Sequence, residues 1–109
     1  MITNSKLVQF YGSAGKYGCF SNFYPSPFVL DGVTWKTTEH YYQAKKFEGT
    51  PREVIIRNCD TPYKSLQIGR SPGIRKDWDV VRDMIMLKCV TAKFKQNEDI
   101  MKVLMSTGS

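Results

Sequence analysis

The sequence has a single histidine, His40, and three cysteines, Cys19, Cys59 and Cys89, in 109 residues. No two cysteines are spaced as Cys-x-x-Cys, so a zinc site would need an unusual ligand set and no metal is expected. Free buried thiols in a reducing compartment are the simplest expectation. A nucleophilic cysteine beside His40 has no local motif behind it. No apolar run approaches the length of a membrane span. Residues Met1 to Lys6 contain no signal-peptide core. A soluble, cytoplasmic protein without membrane contact is therefore expected. The chain shows no internal repeat, low-complexity tract or linker, so one domain over residues 1–109 is expected. Like charges do not run together. The stretch GSAGKYG, Gly12 to Gly18, lacks the spacing and context of a Walker-type phosphate loop.

What is present is apolar and basic. Hydrophobic residues make up 41% of the chain, enough to argue against disorder. The net charge of +6 suits an anionic partner such as phosphate, nucleotide or nucleic acid, and equally suits a plainly soluble surface. The basic residues are spread out, densest at Lys45-Lys46, Arg70 to Lys76 and Lys93 to Lys95.

The first third reads as strands and loops. Leu7 to Tyr11 suits a short strand. Phe28-Val29-Leu30 and Val33-Thr34-Trp35 flank Asp31-Gly32, a strong hairpin signal. The remainder reads as helices. Thr37 suits an N-cap and places Glu39 in a first turn. Thr50, Pro51 and Glu53 form a capping-box pattern, Thr61-Pro62 repeats the start signal, and Gly69 reads as a stop. A long helix from about Asp77 to Lys95 carries two apolar stripes. One holds Trp78, Val81, Ile85 and Ala92, the other Val80, Leu87, Val90 and Phe94. Such a helix is expected to be sandwiched in the core. Asn97 then caps a last helix ending before Gly108. Strands first and helices after predict an α+β fold.

Three stretches could carry chemistry. In TTEHYYQAKKF, Glu39, Gln43 and Lys46 share one helical strip, His40, Ala44 and Phe47 lie beside it, and Tyr42 flanks the other edge. Tyr41 and Lys45 are expected to point away. Periodicity alone favours a structural first-turn glutamate and a hydrogen-bonded core histidine. In GCFSNFYPSP, Ser21 and Asn22 offer hydrogen bonds, while Phe20, Phe23 and Tyr24 offer flat faces. These suit a nucleobase, or simply a turn packed by its own aromatics. In RSPGIRKDWDVV, Trp78 opens a helix near Arg70, Arg75 and Lys76. That is either a stacking platform beside a phosphate site or a core plug.

Together, GCFSNFYPSPFVLDGVTWKTTEHYYQAKKF, IRKDWDVVRDMIM and KFKQN are similar to motifs of the NADAR, or YbiA-like, N-glycosidase family. The resemblance runs from about Leu7 to Gly108. It implies an α+β domain that hydrolyses N-glycosidic bonds without a cofactor. One branch of the family acts on phosphorylated intermediates of riboflavin synthesis. Another removes ADP-ribose from guanine in DNA or RNA. The family's glutamate maps onto Glu39, its Asp-Trp tryptophan onto Trp78, and its Ser-Asn-Phe-Tyr loop onto Ser21, Asn22, Phe23 and Tyr24. On this pattern Glu39 stabilises an oxocarbenium-like centre or activates water. Trp78 and Phe23 stack on the base, and Asn22 reads its edge. Tyr42 and Gln43 complete the wall, Arg70, Arg75 or Lys46 hold phosphate, and His40 is a candidate proton donor. The family pattern continues past this chain's last residues, so an apolar patch near Leu87 and a second chain supplying the remainder are expectations. The rival expectations are a non-catalytic ADP-ribose or nucleotide-binding module and a basic nucleic-acid-binding protein.

Overall fold

The computed structural model describes residues 18–106. The expected strand at Leu7 to Tyr11 lies outside them. From the N-terminal side, a short 3-10 turn, Gly18–Phe20, leads to strands β1, Phe28–Leu30, and β2, Val33–Trp35. Five helices follow: α1, Thr38–Lys45; α2, Pro51–Arg57; α3, Pro62–Gly69; α4, Trp78–Gln96; and α5, Glu98–Ser106. The arrangement is α+β, as expected. No helix among the described residues is long and apolar enough to cross a membrane.

The hairpin forms for the reason its sequence suggests. β1 and β2 are antiparallel, pairing Phe28 with Trp35 and Leu30 with Val33. Asp31 and Gly32 both take positive φ, 57° and 76°, the conformation that fits a tight turn to strand twist. The free edge of β1 is closed by a side chain. The Gln96 amide accepts from the Val29 N–H at 2.7 Å and donates to the Val29 carbonyl at 2.8 Å, so it acts as one residue of a third strand.

Helix α1 sits at the centre, packed against α2, α3, α4 and β2. Nearly all of it is buried. The core joins Phe28, Trp35, Tyr41, Ala44, Phe47, Ile56, Cys89 and Ala92. Tyr41 therefore does not point away as expected. Its ring meets Trp35 edge-on at 4.9 Å and Phe28 at 6.4 Å, and its hydroxyl donates to Asp31 at 2.8 Å. Lys45 is likewise buried, 5% exposed. Its ammonium lies 5.5 Å from the Trp35 ring and 5.2 Å from that of Tyr41. Glu53 at 2.8 Å and Asp31 and Glu48 at 3.5 Å surround it. A helix enclosed by four neighbours has no solvent strip to give these residues.

The same cluster changes the expected capping box on α2. Glu53 reaches Lys45 and the Gly49 N–H, 3.0 Å away, while the Thr50 hydroxyl donates to the Phe47 carbonyl. The Thr50 N–H is taken by the Phe47 carbonyl at 3.0 Å, so the carboxylate serves Lys45 and Gly49 instead of the cap residue. Helix α4 is not sandwiched. Trp78, Cys89, Ala92 and Lys93 are buried, whereas Val80 and Leu87 of the second stripe are 81% and 67% exposed, with Met84 beside them. One face packs on α1 and the hairpin; the other carries an exposed apolar stripe. The Asn97 amide nitrogen donates to the carbonyls of Pro27 and Lys93, tying α5 to the strand entry. The three thiols are free and buried, as expected.

Candidate active site

The N-terminus of α1 is built by Thr37. Its backbone is extended, and its hydroxyl accepts from the His40 N–H at 3.1 Å. That cap starts the helix one residue before Glu39 and fixes the carboxylate in the first turn. The Ser-Asn loop is then bolted onto the same end. The Glu39 N–H donates to the Asn22 carbonyl at 3.1 Å. The Thr38 hydroxyl donates to the Asn22 side-chain oxygen at 2.9 Å. Asn22 and Glu39 are thereby neighbours.

Glu39 is 7% exposed. Its Oε2 accepts from Gln43 Nε2 at 2.7 Å, one turn on. Burial raises its pKa above the ordinary 4.5, and the Gln43 hydrogen bond with the charges of Lys46 and Arg70 offsets that only in part. Lys46 shows the converse: burial and the Arg70 charge lower its pKa, against the pull of Glu39. Lys46 Nζ donates to the Gly69 carbonyl at 3.3 Å and lies 5.9 Å from the centre of the Trp78 ring. Tyr42 meets Trp78 edge-on at 5.0 Å. Trp78 stands outside the main core cluster. Carboxylate, amide, ammonium and aromatic wall therefore converge along one side of α1, with Arg70 at the end of α3.

Other expected residues lie elsewhere. The His40 ring is fully buried. Nδ1 meets the Thr37 hydroxyl at 2.8 Å, and Nε2 meets the Cys59 carbonyl at 3.0 Å. A carbonyl can only accept, so Nε2 carries the proton and Nδ1 takes one from Thr37. Burial and the Lys36 charge lower the pKa of the ring, against the Cys59 hydrogen bond. Nδ1 is held by the cap of its own helix and Nε2 ties α1 to the end of α2, which leaves His40 no proton to offer a substrate. Arg75 is committed too. It holds Asp77 at 2.6 and 3.0 Å and Glu48 at 2.7 Å. Ser21 faces inward, its hydroxyl accepting from the Phe23 N–H at 3.0 Å. Phe23 and Tyr24 are half-buried.

Lys93, which the sequence shows only as part of a basic group, is a buried support of the Ser-Asn loop. It is 1% exposed, donates to the Ser21 carbonyl at 2.9 Å, and lies over the rings of Tyr24 and Phe94. It thus holds the Ser-Asn loop from behind, opposite Thr38. Burial pulls its pKa down to about 8. Its one sequence signal is the spacing of four from Cys89, which puts both on the buried face of α4.

Two cavities are lined by other residues. One, of about 280 Å³, is bordered by Asp31, Lys45, Glu48, Arg75 and Lys88 among others. Its charges are already matched in pairs. The other, of about 320 Å³, lies between Phe47, Arg52 and Ile55. Neither contains Glu39. No group of metal-binding side chains occurs among the described residues.

Residues 9–109 match the family model described as NADAR domain. N-glycosidase YbiA of Escherichia coli (strain K12) is 36% identical over 109 residues, which cover 98% of this chain and 68% of that protein. N-glycosidase Npun_R5314 of Nostoc punctiforme is 41% identical over 106 residues, 93% of this chain and 68% of its own length. Riboflavin biosynthesis protein VVA0006 of Vibrio vulnificus is 30% identical over 103 residues, 93% of this chain and 28% of that protein. The NMR structure of E. coli YbiA superposes with a TM-score of 0.82 at 38% identity, covering 91% of this chain. The present chain spans 60% of that solved chain. The first two relatives are, by name, hydrolases of N-glycosyl bonds.

Proposed function

Because this chain belongs to the NADAR family, we propose that it is an N-glycosidase acting on a phosphorylated ribose joined to a heteroaromatic base or amine. The observation that carries this reading is the buried Glu39 carboxylate, latched by Gln43 and bordered by Lys46 and the Tyr42–Trp78 wall. Hydrolysis breaks the C1–N bond, and water supplies hydroxyl to C1. Positive charge develops on the ribose as that bond lengthens. Glu39, ionised, stabilises that charge and takes the proton from the attacking water. Its raised pKa suits it to accept one. The departing nitrogen needs a proton in return. With His40 engaged inside the fold, Lys46 is the group beside Glu39 that can give one, and burial eases its loss. Trp78 and Tyr42 hold the base, Asn22 reads its edge, and Arg70 supplies positive charge for phosphate.

Two substrate classes fit this chemistry: guanine carrying ADP-ribose in nucleic acid, and phosphoribosylated intermediates of riboflavin synthesis. The name of the Vibrio relative favours the second. Incubation with each, followed by mass analysis of released base and ribose phosphate, tests the reading. Release of free base from one class is the expected result. Tight binding of ADP-ribose with no bond cleavage would replace the hydrolase with a binding module.

A further inference from the structure

Gly69 is the last residue of α3 and is fully enclosed. Its φ is not among the positive values, which belong to Gly32, Gly49 and Gly73. The backbone there gives no reason for glycine. The helix does end at Gly69, as expected, but without a left-handed residue there, and alanine would ordinarily favour a helix. The reason lies across the helix interface. A Cβ on Gly69 would overlap Oε1 of Gln43 and stand 2.7 Å from its Cδ and 3.1 Å from its Cβ. Gln43 Oε1 is itself buried and has no hydrogen-bond partner among the described residues. A buried amide oxygen is normally satisfied. Here it is pressed against the bare Cα face of Gly69, where a weak C–H contact is all that α3 can offer. The amide accepts that position because its nitrogen is bound to Glu39 Oε2 at 2.7 Å. The Gly69 carbonyl meanwhile receives Lys46 Nζ at 3.3 Å.

We propose that Gly69 is a positioning residue for the site: its missing side chain lets α3 close on α1, and that closure pins Gln43 onto Glu39 and draws Lys46 to the same point. The proposal rests on the reading of Glu39 as the working carboxylate. A side chain at residue 69 would push the Gln43 amide aside. The hydrogen bond that opposes the burial of the Glu39 charge would go with it. Gly69, acting through Gln43, would thus set the ionisation and aim of Glu39.

The test is a cycle of Gly69→Ala, Gln43→Ala and the double variant in the full chain. Two readouts are followed: turnover, and the titration of the Glu39 carboxyl by carbon-13 NMR. Gly69→Ala is expected to raise the Glu39 midpoint and cut turnover about 10- to 100-fold, the cost of misplacing one catalytic group. In the double variant the shortened side chain at position 43 leaves room for the new methyl. It should match Gln43→Ala alone within about twofold, and its melting temperature should recover. Losses that simply multiply, or a Glu39 midpoint unmoved in Gly69→Ala, overturn the proposal. If Gly69→Ala does not fold, Gln43→Ala must restore folding in the double variant. A double variant that stays unfolded beside a folded Gln43→Ala is equally fatal. Absence of turnover in every form, with the midpoint still shifting, leaves the positioning intact and removes the hydrolase reading instead.

Discussion

Lys45 and Lys46 are adjacent in sequence and opposite in circumstance. Lys45 is boxed by Glu53, Asp31 and Glu48. Burial alone would lower its pKa, but the three carboxylates outweigh that and raise it. Lys46 has a carbonyl and a ring for neighbours, with Glu39 acting through its field, and burial wins. The glutamates divide in the same way. Burial raises Glu53, yet Lys45 and the Gly49 N–H leave it lowered. Glu39 stays raised. One side of α1 is therefore charge-balanced and holds the fold together. The other keeps a carboxylate and an ammonium short of full compensation, which is the condition of groups that exchange protons.

Glu39→Gln should break this contrast most visibly. Removing one preorganised electrostatic group typically costs about 2.7–4 kcal/mol in turnover, roughly 100- to 1000-fold. Stability should move the other way. The folded pKa lies above the ordinary 4.5, so the ionised form is disfavoured in the fold. That cost is absent below the unfolded pKa and grows as pH rises through the folded value. Glu39→Gln should thus melt above the parent at neutral pH and level with it below about pH 4. A purely structural first-turn glutamate gives the reverse, a loss of about 0.3–1 kcal/mol. Melting curves across pH, with turnover on the same samples, decide.

Lys45→Met should come next, and in stability. Breaking a fully buried pair costs about 3–5 kcal/mol, and the half-exposed Glu48 and Asp31 bring the expected loss to about 2–3 kcal/mol. Because the pKa of Glu53 is lowered, its contribution is present above the ordinary 4.5 and lost as pH falls through the folded value. The deficit of the variant should shrink in acid. Denaturant melts at neutral and acid pH measure both; a deficit independent of pH would mean that packing, not charge, is what Lys45 supplies.

Local signals were legible in the sequence, and long-range ones were not. Asp31-Gly32, the Thr37 cap and Thr61-Pro62 act within a few residues, and all three appear where expected. Glu39 could be placed in a first turn for the same reason. The burial of Tyr41 and Lys45 could not be foreseen, because it depends on the hairpin and α2 closing over the far side of α1. Lys93 meets Ser21 across most of the chain, and no spacing rule joins them. Gly69 ends its helix as its sequence suggests, but its close approach to Gln43 on a neighbouring helix has no local signal. Trp78 was readable as a platform or a plug, and its burial and its edge contact with Tyr42 are compatible with either.

Trp78→Phe sharpens that last point. Stacking on one base is worth about 1–3 kcal/mol, and a phenylalanine keeps part of it. The expected loss is about 1 kcal/mol, near fivefold in affinity for ADP-ribose, with a smaller change in melting temperature. In the parent, ligand should quench fluorescence that the Trp78 variant, left with Trp35, no longer loses. A variant that binds normally but melts much earlier would mark Trp78 as a core residue.

Arg75→Gln should do least to the ligand, and for that reason it tests the contrast from its other side. Arg75 belongs to the balanced face. Its hydrogen bond to Asp77 comes first among the causes that raise its pKa, with Glu48 adding to it. Its backbone N–H donates to the Lys46 carbonyl at 2.9 Å, a contact that the substitution leaves in place. A guanidinium already shared between two carboxylates has little left for a phosphate. Exposed ion pairs also contribute little to stability. The variant should therefore bind ADP-ribose within about twofold of the parent and melt only slightly lower, the decrease fading at high salt. Titration calorimetry and thermal melts, each at low and high salt, give both numbers. A tenfold loss of affinity would show that Arg75 leaves Asp77 and Glu48 when ligand arrives. The balanced face of α1 would then be part of the site, and the division between Lys45 and Lys46 would no longer separate fold from chemistry.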